Sequence, residues 1–178
     1  MTPDTLQLLF SRAQIEQRIR ELAARISNDY RGRHLVIVGV LKGCFVFLAD
    51  IIRNLDLDVT IDFVQVASYG SCRESSGVST LEKDLGTDIR GYDVLIVEDI
   101  VDTGETLAYL IEELQKRAPL SVRVCALLNK QCRRRVEVAV DYFGFEVGDV
   151  FVVGCGLDFD ERYRALPDIH VLPQAVPA

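Results

Sequence analysis

The chain has 178 residues, 49% of them hydrophobic and 26% charged, which is the size and balance of one globular domain with room for a substantial core. Five Pro and twelve Gly leave no space for a long disordered linker. Asp+Glu 27 against Lys+Arg 20 gives a net charge of -7, which argues against broad binding to nucleic acid or anionic membrane; an anionic substrate has to be handled locally.

Met1-Thr2-Pro3-Asp4 opens without a basic stretch and a long apolar run, so no leader is expected. Ser11-Arg12-Ala13-Gln14 has the form of a capping box. Ile15, Ile19, Leu22, Ala23 and Ile26 then recur at helical spacing to about Asn28. His34 to Val40 is a continuous apolar run of the kind buried on both faces of a sheet, Cys44 to Asn54 reads as a helix, and Val59 to Ala67 alternates as a strand. Ser68 to Ser79, rich in Ser and Gly, is a loop. Val94 to Val97 is the next strand, Glu105 to Arg117 a helix closed by Pro119, Val122 to Leu128 a strand, and Val136 to Phe143 another. The stretch from Phe151 onward looks irregular.

Strand, helix, strand, taken twice, predicts an α/β fold: a mainly parallel twisted sheet with helices on both faces and one antiparallel excursion between Val59 and Val94. The expected organisation is a single domain over residues 1–178. Its core would be about 30–150, with a small cap from about 1–28 and 151–178. Cys44, Cys72, Cys125, Cys132 and Cys155 are odd in number and lack paired metal spacing, so reduced thiols in a cytoplasm fit best. No run approaches transmembrane length. Arg133-Arg134-Arg135 reads as a solvated turn between strands, and His34 and His170 are given no chemistry.

The chemistry concentrates between Val94 and Thr106. There an apolar strand ends in Glu98 and Asp99, a turn follows with Asp102, Thr103 and Gly104, and Glu105 begins a helix. In open α/β sheets ligands sit beyond the carboxyl ends of the strands. A helix N-terminus attracts phosphate, Gly104 lets backbone approach it, and Thr103 and Thr106 add hydroxyls. Acids beside a phosphate cradle repel it unless a divalent cation or sugar hydroxyls lie between. The stretch therefore asks for a phosphorylated, polyhydroxylated, metal-bound ligand.

Glu98-Asp99-Ile100-Val101-Asp102-Thr103-Gly104 resembles the signature of the type I phosphoribosyltransferases, in the form seen in hypoxanthine and hypoxanthine-guanine members. Further motifs follow in matching order from Leu41 to Arg164. Leu41-Lys42-Gly43 looks like the family's pyrophosphate loop, which implies a strained peptide before Lys42; Cys44 stands where many relatives have a second glycine and puts an oxidisable thiol near the site. Ser68-Tyr69-Gly70 resembles the mobile lid. By the same resemblance Lys130 donates to the exocyclic oxygen of a six-oxopurine, Phe151 stacks on it, and the backbone at Val152 and Leu157 recognises its edge. Asp158 approaches the metal through water, and Arg164 binds pyrophosphate.

The resemblance implies purine salvage, in which hypoxanthine or guanine and phosphoribosyl pyrophosphate give a nucleotide and pyrophosphate. It assigns Asp102 as catalytic base and Glu98, Asp99 and Asp158 to Mg2+. Thr103, Gly104, Glu105 and Thr106 go to the 5′-phosphate. The enzyme is expected to be a homodimer or homotetramer acting without nucleic acid or membrane. A xanthine-preferring transferase and a nucleotide-sensing regulatory protein on the same fold remain as alternatives.

Overall fold

The computed structural model describes residues 6–68 and 79–173. A short strand β1 (Gln7–Phe10) leads into helix α1 (Arg12–Asp29). Ser11 and Gln14 close the expected capping box: the Ser11 hydroxyl accepts from the Gln14 N–H at 3.4 Å, and Gln14 Oε1 accepts from the Ser11 N–H at 2.9 Å. Ile15, Ile19, Leu22, Ala23 and Ile26 share the buried face of the helix. Then come β2 (Leu35–Leu41), α2 (Phe45–Asn54), β3 (Val59–Ser68), β4 (Ser79–Lys83), β5 (Asp93–Val101) and α3 (Glu105–Gln115). The chain ends with β6 (Ser121–Asn129), β7 (Tyr142–Glu146), β8 (Val152–Val153) and β9 (Ile169–Val171).

The main sheet has six strands in the order β4-β3-β2-β5-β6-β7, parallel throughout except where β4 pairs antiparallel with β3. That hairpin is the expected excursion. Val36, Val38, Val94 and Ile96 pack with Leu107, Leu110 and Leu114 of α3, whereas Ile37, Leu95 and Val97 pack on the opposite face with Ile19, Leu22, Phe47 and Ile51. Two-sided burial explains why β2 and β5 are apolar at successive positions rather than alternate ones. Each fully buried aliphatic side chain there contributes about 1.5–3 kcal/mol.

The strand expected over Val136 to Phe143 begins later, at Tyr142, opposite Cys125 of β6. Upstream amides are committed elsewhere: Arg135 and Val136 N–H both donate to the Thr103 carbonyl, at 2.9 and 3.1 Å. Asp141 meanwhile accepts the Val124 N–H at 2.9 Å. Beside β7, Arg18 of α1 donates to the Gly144 carbonyl at 2.8 Å and to that of Phe143 at 3.4 Å. The tail from Phe151 is more regular than its sequence suggests, because β8 and β9 join β1 in a three-stranded antiparallel sheet. No helix among the described residues is long and apolar enough to cross a membrane.

Candidate active site

The carboxyl ends of β2 and β5 open onto a cavity lined by Leu41 and Gly43, by Glu98 and Asp99, by the turn from Asp102 to Gly104 and by Thr106. Residues expected from separate motifs thus meet around one space. Glu98 and Asp99 are partly buried neighbours. Burial raises the Glu98 pKa well above the ordinary range, and the Asp99 charge adds to the effect. Asp99 is raised by burial as well; its Oδ1 accepts the Ile100 N–H at 2.9 Å, which with Arg164 acts against the shift, while Asp158 adds to it. Two desolvated carboxylates side by side are chemically suited to a cation or to hydroxyl donors.

After β2 the Leu41–Lys42 peptide is cis. Gly43 approaches Asp99 so closely that a Cβ would fall 1.7 Å from Oδ2, and a Cβ on Gly156 would fall 2.2 Å from the Gly43 carbonyl oxygen. The loop is held between β5 and the C-terminal segment. Cys44 is fully buried, and burial, then Glu98 and Asp99, push its thiol pKa up. The thiol expected to be oxidisable is therefore protonated and shielded.

Gly104 is the N-cap of α3 at φ +84, where a Cβ would stand 2.4 Å from the Val136 carbonyl oxygen. Thr103 Oγ1 accepts the Glu105 N–H at 3.4 Å and lies 3.3 Å from Glu105 Oε2. Asp102 Oδ1 is buried without a hydrogen bond. Two cations approach this carboxylate: Lys130 Nζ is 3.9 Å from Oδ2 and Arg133 Nε 3.7 Å from Oδ1. Lys130 is itself only 4% exposed, and a buried ammonium requires such a partner.

The C-terminal segment sits at the rim. Val152 and Leu157 are buried, while Phe151 is exposed and meets Phe159 edge-on at 5.5 Å. Both Asp158 oxygens are engaged, one by Arg164 at 2.9 Å and the other by the Glu161 N–H at 2.9 Å. Arg164 also donates to the Gly156 carbonyl at 2.8 Å. Glu161 bridges Arg164 at 3.3 Å and Lys42 at 3.1 Å, and Lys42, then Arg164, hold its carboxyl below the usual range.

A family model for the phosphoribosyl transferase domain matches residues 9–160. The chain belongs to the phosphoribosyltransferase family. It is 43% identical over 176 residues to the hypoxanthine-guanine phosphoribosyltransferase of Bacillus subtilis (strain 168), across 99% of this chain and 98% of that protein. The enzyme of the same description from Dictyostelium discoideum is 46% identical, with 94% and 96% covered. A crystal structure of a hypoxanthine phosphoribosyltransferase from Staphylococcus aureus superposes with a TM-score of 0.92 at 42% identity, covering 95% of this chain and 92% of that one. The parallel sheet wound on both faces is the fold of this family.

Within this phosphoribosyltransferase, Lys42, Glu105, Lys130, Phe151, Val152, Leu157, Asp158 and Arg164 are not among the residues that line the cavity. Ser68 ends β3, while Tyr69, Gly70 and the rest of the expected lid up to 78 lie outside the described residues. Sequence reasoning misses Arg133, Arg134 and Glu161 as site residues. The arginine run is more than a solvated turn: Arg134 backs Gly104, its Cδ 3.1 Å from the position of a Cβ there, and Arg135 lies 3.6 Å from Glu105. Among the described residues no three His, Cys, Asp or Glu side chains converge as a metal cage. The Glu98–Asp99 pair fits instead a hard cation that takes its remaining ligands from substrate oxygens and water.

Proposed function

We propose that the chain catalyses purine salvage, transferring the 5-phosphoribosyl group from phosphoribosyl pyrophosphate to hypoxanthine or guanine and releasing pyrophosphate. The observation that carries this reading is the single cavity joining Gly43, the Glu98–Asp99 pair and the Asp102–Thr106 turn, with buried Lys130 beside Asp102.

The N-terminus of α3 receives the 5′-phosphate through backbone amides and the hydroxyls of Thr103 and Thr106, with Glu105 in the first helical turn. Glu98 and Asp99 hold the ribose hydroxyls. Asp102 accepts a proton from the imidazole ring of the base as the other ring nitrogen attacks the anomeric carbon, and its charge steadies the oxocarbenium-like sugar. Its buried Oδ1, which makes no hydrogen bond, supports that role. Lys130 donates to the exocyclic oxygen and disfavours adenine, whose amino group is itself a donor. Phe151 offers its ring to the base, and the backbone at Val152 and Leu157 reads the base edge.

Leu41, Lys42, Gly43 and Arg164 face the pyrophosphate, Arg164 with a guanidinium suited to bidentate contact. Ser68 and Tyr69 belong to the lid that keeps water from the sugar. Glu98 and Asp99, with Asp158 through water, would hold Mg2+, which would offset the charge of the departing pyrophosphate. The same reading takes the protein as a cytoplasmic homodimer or homotetramer.

The test is chromatographic: hypoxanthine, guanine, xanthine and adenine are each supplied with phosphoribosyl pyrophosphate and Mg2+. Nucleotide from hypoxanthine or guanine, none from adenine and none after chelation is the expected pattern. No product from any base, in a protein that still binds phosphoribosyl pyrophosphate, would overturn it.

A further inference from the structure

Phe159 to Arg162 form a two-residue hairpin loop, closed by the Phe159 N–H to the Arg162 carbonyl at 3.2 Å and the reciprocal bond at 3.1 Å. Both central residues are left-handed, Asp160 at φ +52 and Glu161 at φ +58. Such loops favour Asn-Gly, because a side chain at the second position is sterically penalised there. This chain keeps a glutamate where the backbone prefers glycine. The turn aims that side chain back over the loop after β2, where one carboxylate oxygen meets Lys42 and the other Arg164.

Lys42 and Arg164 both stand toward the Gly43–Asp99 end of the site, where this reading places the leaving group, since Lys42 adjoins Gly43 and the charge of Arg164 is felt at Asp99. A carboxylate and a phosphate oxygen are interchangeable partners for both groups. We propose that Glu161 is an internal stand-in for pyrophosphate: in the ligand-free protein it holds Lys42 and, alongside the closer Asp158, Arg164, and the leaving group must displace it to reach them. This rests on the transferase reading and adds a contact that opposes binding at its pyrophosphate end. Displacement also works in reverse, because Glu161 returning to the two cations helps expel the product.

Two variants separate this from a supporting role for Glu161. Glu161→Gly removes the carboxylate while relieving the left-handed backbone, and Glu161→Gln keeps the size without the charge. Binding of inorganic pyrophosphate to the full chain is measured by titration calorimetry, with and without Mg2+, and ribose 5-phosphate serves as a ligand of the α3 turn. Both variants are expected to bind pyrophosphate about three- to tenfold more tightly, the scale of one or two exposed ion pairs, with ribose 5-phosphate unchanged. Unchanged or weaker pyrophosphate binding in both variants overturns the proposal, weaker binding meaning that Glu161 organises the two cations. A wild-type chain that binds no pyrophosphate overturns both the proposal and the transferase reading.

Discussion

Gly43→Ala probes the closest approach in the site. An added Cβ would lie 1.7 Å from Asp99 Oδ2 and 2.4 Å from its Cγ, whereas ordinary van der Waals contact starts at 3.4 Å. The two must therefore part by about 1.7 Å. The loop cannot move toward the C-terminal segment, because the Gly43 carbonyl already rests against Gly156. Asp99 must swing instead, against its 2.9 Å bond from the Ile100 N–H and at a rotamer cost of about 0.5–1.5 kcal/mol. A 1 Å misplacement of a positioning group can lower a rate about 10²-fold, so kcat/KM for phosphoribosyl pyrophosphate should fall at least about that much. Overpacking should cost only about 1–3 kcal/mol of stability, a shift of several degrees in Tm for a chain this long. Steady-state kinetics with phosphoribosyl pyrophosphate varied, alongside thermal unfolding, separates the two effects. An alanine variant with wild-type kcat/KM would refute the argument that Gly43 sets the position of Asp99.

Asp102→Asn should lower kcat by about 10²- to 10⁴-fold with little change in KM for phosphoribosyl pyrophosphate; unaltered turnover would remove Asp102 from the role of base. Glu98→Gln should stabilise the ligand-free protein at neutral pH. Folding raises the Glu98 pKa above its ordinary value of 4.5, so wild-type stability falls as pH climbs past 4.5 and levels off above the folded value. The variant escapes that loss: its Tm, measured with chelator across pH 4 to 8, should match wild type at the acid end and exceed it by about 2–6 °C at the other. Asp62 behaves oppositely. Although burial pushes its pKa up, the amides of Phe63, Thr87 and Gly86 and the Thr87 hydroxyl hold it down at about 2. Asp62→Ala should cost about 1–3 kcal/mol at pH 7 in urea unfolding, and the difference should shrink as pH falls from 3.8 toward 2. A constant difference across that range would contradict the hydrogen-bond account.

The parts of the fold legible in sequence were those whose cause is local. Runs such as Val94 to Val97 announce burial on both faces without reference to any partner, and Ser11 with Gln14 announces a helix start three residues apart. Glu98 to Thr106 carries strand end, turn and helix start in one stretch, so that half of the cavity could be read directly. Pairings between distant residues could not. β1 finds β9 across most of the chain, Gln7 opposite Val171, and strands of two or three residues leave no periodic trace. Val136 to Phe143 has the composition of a strand, but the Thr103 carbonyl takes its first amide donor together with that of Arg135 just before it. Glu161 was hidden for a related reason: Asp160-Glu161 lacks the glycine that marks such a loop, and its partner Lys42 lies 119 positions away.

Arg18 has a consequence beyond joining α1 to β7. A parallel sheet that ends in a bare strand offers its outer carbonyls to any extended chain, including the same strand of another unfolding molecule. Here one guanidinium occupies two successive carbonyls, at Phe143 and Gly144, from a helix that forms early in the sequence and carries its own cap. A charged side chain thus stands against this part of the last strand and hinders a docking backbone there without adding to the core. The opening helix therefore supplies a local obstacle to strand addition beside β7, formed by residues outside the cavity lining.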